Sequence, residues 1–328
     1  EVSNKNISKL KKIKSINALY PNKTIDTQMN IVRDKVKCIN TKYTGKGISI
    51  AFIDTGICKN NDFDSRIKCF YDVVNHKNYV YDDCGHGTHV AGICSGSGAN
   101  SNGKYRGIAP ESNIVMIKAL DFEGKGTASD VLTGIQWVAD NYKKYNIRIL
   151  NMSIGAGITN TKDPLVRAAE ILWDMGIVVV AAAGNNGPQK GTISSPGISK
   201  KIITVGSVDD INVPENDIGK SYSGRGPTKE CVIKPDVVAP GTNIISCLCE
   251  DNKNNNYYKS LSGTSMSTPI VSGAIALLLE KVPNLKPDDI KFMLKQSCHN
   301  LECSPNRQGW GLLDIENLLN REVIYVRK

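Results

Sequence analysis

Five short, uninterrupted apolar runs constrain this chain more than any other feature. They are "GISIAFID" (47–54), "NIVMIKAL" (113–120), "IRILNMSI" (147–154), "GIVVVAAAG" (176–184) and "KIITVGSV" (201–208). A strand with one wet face alternates apolar and polar residues. A run without alternation, rich in Val and Ile, suits a strand covered on both faces, as in a parallel sheet. The segments between the runs carry helical spacing. "SDVLTGIQWVADNYKKY" (129–145) sets Val131, Leu132, Ile135 and Val138 on one face, after a Ser-Asp start suited to an N-cap. "DPLVRAAEILWDMG" (163–176) opens on Asp-Pro and closes on Gly. "TPIVSGAIALLLEKV" (268–282) and "KPDDIKFMLKQS" (286–297) complete the alternation. The expected fold class is α/β, with crossovers around one mostly parallel sheet.

The rest of the chain narrows the function classes. No apolar run is long enough to span a bilayer. The net charge of +9 sits partly in "KLKKIKS" (9–15) and is otherwise dispersed. Aromatic content is 6%, and no zinc-finger spacing accompanies the basic residues, so nucleic acid is not an expected partner, and neither is a membrane. The N-terminal stretch lacks the apolar core of a secretory signal, which favours a cytoplasmic location, with secretion after leader removal as the alternative. Ten cysteines occur without a C-x-x-C. Cys247 and Cys249 would point the same way on a strand and make a poor pair. A reduced thiol set is therefore expected.

Chemistry concentrates in "DDCGHGTHV" (82–90), which packs a thiol, two histidines and two carboxylates together. Taken alone, it fits a metal site, a Cys–His nucleophile pair or the base of a serine hydrolase. In open α/β sheets, sites gather at the carboxyl ends of strands. Asp54, Ser153-Ile154-Gly155 and Asn185 fall at such ends. "SGTSMSTP" (262–269) places Ser265 among small residues, just before a helix expected to begin near Thr268.

Together, "DTG", "GHGTHVAG" and "GTSMSTP", in the order Asp–His–Ser, resemble the subtilase family of serine proteases. The likeness covers about residues 45–317 and includes "RGIAP" (106–110), "AAAGNNGP" (181–188), "SSPG" (194–197), "SGRGPT" (223–228) and "KPDVVAPGTNI" (234–244). It is nearest to the intracellular alkaline proteases of bacteria. It implies a subtilisin-like three-layer fold over 45–320, an N-terminal arm (1–44) and a tail (321–328). By this resemblance Asp54, His86 and Ser265 form a catalytic triad, while Asn185 and Thr264 serve an oxyanion hole. The resemblance also implies that an extended polypeptide substrate lies between Gly124-Lys125-Gly126 and Ser153-Ile154-Gly155, one form of strand addition. Ile154, Gly155, Ala182, Ala183, Gly184 and Ser194 would line the first specificity pocket. No carboxylate is among them, so an uncharged, mainly apolar P1 residue is expected. Ala128 replaces a bulky aromatic common in relatives, which would open the P4 pocket.

The chemistry needs no cofactor. The family often carries structural calcium, for which Asp62 matches a frequent ligand position. The usual partner loop, 96–107, does not carry the pattern, and Asp209, Asp210, Glu215 and Asp217 form a second acidic cluster. An inhibitory pro-segment, cleaved near Glu1, is a further expected partner, because "INALYPNKTI" (16–25) resembles the family's junction with the mature chain. His89 is expected to be a packed histidine, and Cys84 an exposed thiol at the cleft rim. The competing class is a catalytically silent scaffold of the same fold; all four signature residues being present argues against it.

Overall fold

The computed structural model describes residues 29–158, 160–209, 211, 221–251, 256–323 and 325–326. Seven strands form one sheet: β1 (Ser49–Asp54), β2 (Ile67–Asp72), β3 (Asn113–Lys118), β4 (Ile147–Met152), β5 (Val178–Ala182), β6 (Ile203–Ser207) and β7 (Val237–Ala239). Their order is β2-β3-β1-β4-β5-β6-β7, and every neighbouring pair is parallel. All five apolar runs are strands of this sheet. β1 and β5 are buried at every position, as a sheet covered on both faces requires.

Two helix pairs cover the sheet. Helices α2 (His86–Ser95) and α5 (Thr264–Lys281) pack together, and α5 lies along β4 to β7. Helices α3 (Ala128–Asn141) and α4 (Pro164–Asp174) pack together, α3 against β1 and α4 against β5. An antiparallel hairpin of β8 (Ile244–Asp251) and β9 (Asn256–Leu261) packs on α2 through β8. Helices α6 (Pro287–Ser297), α7 (Pro305–Gln308) and α8 (Ile315–Asn320) close the chain.

Two local expectations shift. The N-cap of α3 is Thr127 rather than Ser129. Its hydroxyl accepts from Asp130 N–H at 3.1 Å while the Asp130 carboxylate accepts from Thr127 N–H at 3.2 Å, a capping box. Within the expected arm, residues 29–35 form α1 (Met29–Lys35), which buries Met29 and Val32 in the main core, with Val36 and Cys38 just beyond. The late helix starts at Thr264, four residues earlier than its proline suggested, for a reason found at the site.

Candidate active site

Asp54 ends β1 and is fully buried. Its Oδ1 accepts from the Thr55 backbone N–H and lies 2.7 Å from His86 Nδ1. Asp54 Oδ2 has no partner among the described residues. A buried carboxylate left half-satisfied gains most when its neighbour becomes a cation. His86 is the first residue of α2, with its side chain 26% exposed. Burial pushes the His86 pKa down, but the charge of Asp54, its hydrogen bond and the charge of Asp82 outweigh that. The result lies above the ordinary imidazole value.

The platform under His86 follows from its neighbours. A Cβ on Gly87 would sit 2.2 Å from Gly56 O, so only glycine lets the first turn of α2 lie against the loop after β1. Asp82, nearly buried, brackets that turn. Its Oδ1 accepts from Thr55 Oγ1 at 2.8 Å, Gly85 N–H at 2.8 Å and Cys84 N–H at 3.2 Å. Its Oδ2 accepts from Thr88 N–H at 2.8 Å and Thr88 Oγ1 at 2.6 Å. Thr55 Oγ1 in turn accepts from Gly87 N–H at 2.9 Å. Sequence reasoning did not single out this bracket. Its trace was a short acidic residue just ahead of a helix start, a capping signal.

Ser265 is the second residue of α5. Pro269 lies inside this helix and has no N–H for the carbonyl four residues earlier, which belongs to Ser265. The Ser153 hydroxyl supplies the missing donor, at 2.8 Å from Ser265 O. The freed carbonyl is thus satisfied, and the helix can run through the proline to Thr264. Ser153 is itself held by Asn151 Nδ2 at 3.0 Å, and Asn151 Oδ1 accepts from Ser272 Oγ at 2.8 Å. The Ser265 hydroxyl donates to Ser153 O at 2.9 Å, and no hydrogen bond among the described residues joins it to His86. Catalytic hydrogen bonds are often long or unmade until substrate is bound.

Asn185 is exposed, just beyond β5. Thr264 N–H and Thr264 Oγ1 both donate to Asn185 Oδ1, each at 3.0 Å. A backbone N–H can donate only to the oxygen, so this contact fixes which end of the carboxamide faces Thr264. Asn185 Nδ2 has no partner among the described residues. Thr264 itself is fully buried, with its hydroxyl proton committed to Asn185. Thr264 thereby holds the orientation of the Asn185 carboxamide.

Ser265 and His86 line one cleft of about 540 Å³. Its walls include Gly124, Lys125 and Gly126 on one side and Ser153, Ile154 and Gly155 on the other, so both expected edge segments meet there. Ala128 lies on the same wall, and Glu123 pairs with Lys125 at 2.7 Å. Ala182, Ala183, Gly184 and Ser194 are buried and do not line this cleft. Ser194 is close to Gly155 and Gly184: a Cβ added to Gly184, whose φ is +88°, would fall 2.1 Å from Ser194 Oγ.

The remaining members of "DDCGHGTHV" divide as their surroundings dictate. His89 Nε2 lies 3.0 Å from Ile244 O and 2.9 Å from Lys259 O, so it carries the proton and donates to both. Burial holds its pKa down at about 3. That ring is a neutral, packed histidine and not a partner for His86 in metal binding. Cys84 is exposed and lines the cleft, and burial of its sulfur raises the thiol pKa.

The thiol expectation is corrected. Cys58 and Cys249 form a disulfide across 191 residues, with Cα atoms 5.4 Å apart, while the other eight cysteines are unpaired. The fold brings the loop after β1 against β8, a long-range closeness with no local signature. Calcium at Asp62 does not fit the residues present. The Asp62 carboxylate is fully buried and accepts from Asn100 N–H at 3.0 Å, Gly98 N–H at 3.2 Å, Tyr258 OH at 2.9 Å and Cys247 Sγ at 3.3 Å. Donors surround it where a cation would need oxygens. In the second cluster, Asp209 accepts from Gly241 and Thr242 N–H, and Asp210, Glu215 and Asp217 lie outside the described residues.

An acid–imidazole pair at the end of a parallel strand, a serine at a helix start and an oriented carboxamide define a serine hydrolase on a doubly covered sheet. The sequence profile of the subtilase family matches residues 45–311, and the chain belongs to that family. It is a subtilisin-like serine endopeptidase, and its chemistry needs no cofactor. The chain is 44% identical over 294 residues to "Serine protease AprX" of Bacillus subtilis (strain 168), covering 84% of this chain and 66% of that protein. It is 35% identical to "Subtilisin DY" of Bacillus licheniformis, covering 87% and 95%. Among solved structures, a cold adapted subtilisin-like serine proteinase superposes with a TM-score of 0.68 at 33% identity, covering 84% of this chain and 91% of that one. Sphericase superposes at 0.74 with 26% identity, covering 90% and 99%.

Proposed function

We propose that Ser265 is the nucleophile, His86 its general base and Asp54 the carboxylate that orients the base. The 2.7 Å contact between Asp54 and His86, opening onto the cleft that holds Ser265, carries this reading. A serine hydroxyl is barely nucleophilic at neutral pH until an imidazole takes its proton. Rotation of Ser265 Oγ away from Ser153 O delivers that proton to His86 Nε2. As Oγ bonds to the scissile carbonyl carbon, negative charge grows on the carbonyl oxygen. Asn185 Nδ2 and the Ser265 backbone N–H receive it. His86 then returns the proton to the leaving amine, giving the acyl-enzyme, and the same groups activate water to release the acid.

The substrate is an extended polypeptide bound between Gly124–Gly126 and Ser153–Gly155. Backbone pairing of this kind is blind to side chains, so specificity is broad. Ile154 and Gly155, which line the cleft, and the buried Ala182, Ala183, Gly184 and Ser194 behind them bring no charge, which favours an apolar P1 residue. The catalytic unit spans 45–320 with α1 packed on it, and an inhibitory pro-segment is a further partner; the junction-like stretch 16–25 lies outside the described residues. No described helix is long and apolar enough to cross a membrane. The eight unpaired cysteines suit a reducing compartment such as the cytoplasm, and the one bridge suits an oxidising one.

The test is labelling by a fluorophosphonate with parallel hydrolysis of a peptide substrate. Both are expected in the intact protein and lost in Ser265→Ala. An intact, folded protein that neither labels nor cleaves would be a silent scaffold, and the proposal would fail.

A further inference from the structure

We propose that Asp82 is a positioning residue for the base: it fixes the first turn of α2, hence the ring of His86, and lends its negative charge to the protonated ring. The proposal rests on His86 acting as the general base. The geometry places this carboxylate around the base. Asp82 is 8% exposed and takes five hydrogen bonds, all from residues 55 to 88, on both sides of His86 in the chain. Two of the donors, Cys84 N–H and Gly85 N–H, immediately precede His86. Two more come from Thr88, two residues beyond it. The fifth, from Thr55, reaches back to the residue beside Asp54. One carboxylate therefore ties the segment bearing the acid to the segment bearing the base. The Thr55 hydroxyl completes the link by accepting from Gly87 N–H.

A bracket of this kind holds the imidazole in register with Asp54 while a proton moves through it. Loss of register by a fraction of an ångström costs rate more than substrate affinity. The charge acts alongside the geometry. Asp54 is the direct partner of the ring, and Asp82 adds a second negative field. Across the cleft, Lys125 faces the ring with its charge paired to Glu123 at 2.7 Å. Lys118 Nζ is 2.6 Å from Asp83 Oδ1 and 2.6 Å from Thr55 O, so its charge is already paired. His89 is neutral, and Lys259 and Cys84 share the recess beside the ring.

The experiment compares the wild-type chain with Asp82→Asn. Expected is a fall in kcat of about tenfold or more with KM within about threefold. The acid limb of the kcat/KM profile should also move to lower pH, because the imidazolium loses a stabilising charge. An unchanged kcat overturns the proposal. So does a lower kcat with the limb unmoved, since Asp82 would then be a purely structural tie. If Asp82→Asn does not fold, Thr88→Val, which removes one donor, is read against Thr88→Ser, which keeps it. A kcat loss in Val, rescued in Ser, is expected; equal kcat in both overturns it. Nuclear magnetic resonance titration of the His86 ring in Ser265→Ala protein, with and without Asp82→Asn, reports the same shift without turnover. Failure of the base assignment would show separately, as labelling that survives Ser265→Ala or a rate indifferent to His86→Ala.

Discussion

Breaking the Cys58–Cys249 bridge is the perturbation whose size follows most directly from the chain. The bridge closes a loop of 191 residues, from the segment after β1 to β8. In the chain-entropy treatment, cross-linking removes about 2.1 + 1.5R ln n cal/mol/K from the unfolded ensemble, which for this loop is about 5 kcal/mol at 25 °C. That value is an upper bound, because a compact unfolded chain has less entropy to lose. The assay is urea unfolding of Ser265→Ala protein, chosen to prevent autolysis, as oxidised wild type and as Cys58→Ser/Cys249→Ser. The double variant should unfold at lower urea, with a stability loss of about 2 to 5 kcal/mol. A thiol count on the denatured oxidised protein should find eight free groups. A loss below about 1 kcal/mol with eight thiols counted would refute the loop-entropy argument. Ten thiols in protein purified without reductant would instead remove the bridge itself.

Asn185→Ala should lower kcat by about 10²- to 10³-fold with KM little changed, the magnitude known for loss of the oxyanion-hole amide of a subtilisin. Matched rate measurements check it, and an unchanged kcat would deny Asn185 a part in charge stabilisation. The general base must be neutral to accept a proton, so a raised His86 pKa puts the acid limb of the rate profile above pH 6.5. Asp54→Asn should move that limb down and reduce kcat steeply; a limb at or below the ordinary imidazole value in the wild type contradicts the electrostatics. Peptides differing only at P1 should rank Phe and Leu well above Lys and Glu in kcat/KM, and a dominant Lys rate overturns the pocket assignment. A bulky alkylator on Cys84 should slow peptide hydrolysis, and slowly at neutral pH because the thiol pKa is raised. Full activity after verified modification would show that the rim tolerates the added bulk.

The sheet was legible because burial on both faces leaves a mark on every residue of a strand: Ile50, Phe52 and Ile53 had nowhere polar to turn. Asp54 and His86, which the fold brings within 2.7 Å of each other, were legible through motifs at a strand end and a helix start. What escaped was whatever depends on contacts between distant segments. The start of α5 was misjudged because Pro269 reads as a helix opening unless Ser153, more than a hundred residues earlier, is known to satisfy the freed carbonyl. The Cys58–Cys249 pairing, the surroundings that make Asp62 an acceptor of protein hydrogen bonds, and the contact of Thr264 with Asn185 share that origin. The helical content of residues 29–35 was missed because α1 is short and Lys- and Arg-bearing, and only its packing on the core stabilises it.

The hold of Thr264 on Asn185 also bears on how the site tolerates motion. The residue that aims the carboxamide is the immediate chain neighbour of the residue proposed to attack. If thermal motion or a distant substitution tilts the end of α5, the serine and the amide are carried in the same direction. Their spacing is then held by two hydrogen bonds to the residue beside the serine, and errors in placing the helix partly cancel between them. The imidazole rides on a different helix and receives no such compensation, so drift between α2 and α5 is where this active site should lose alignment first.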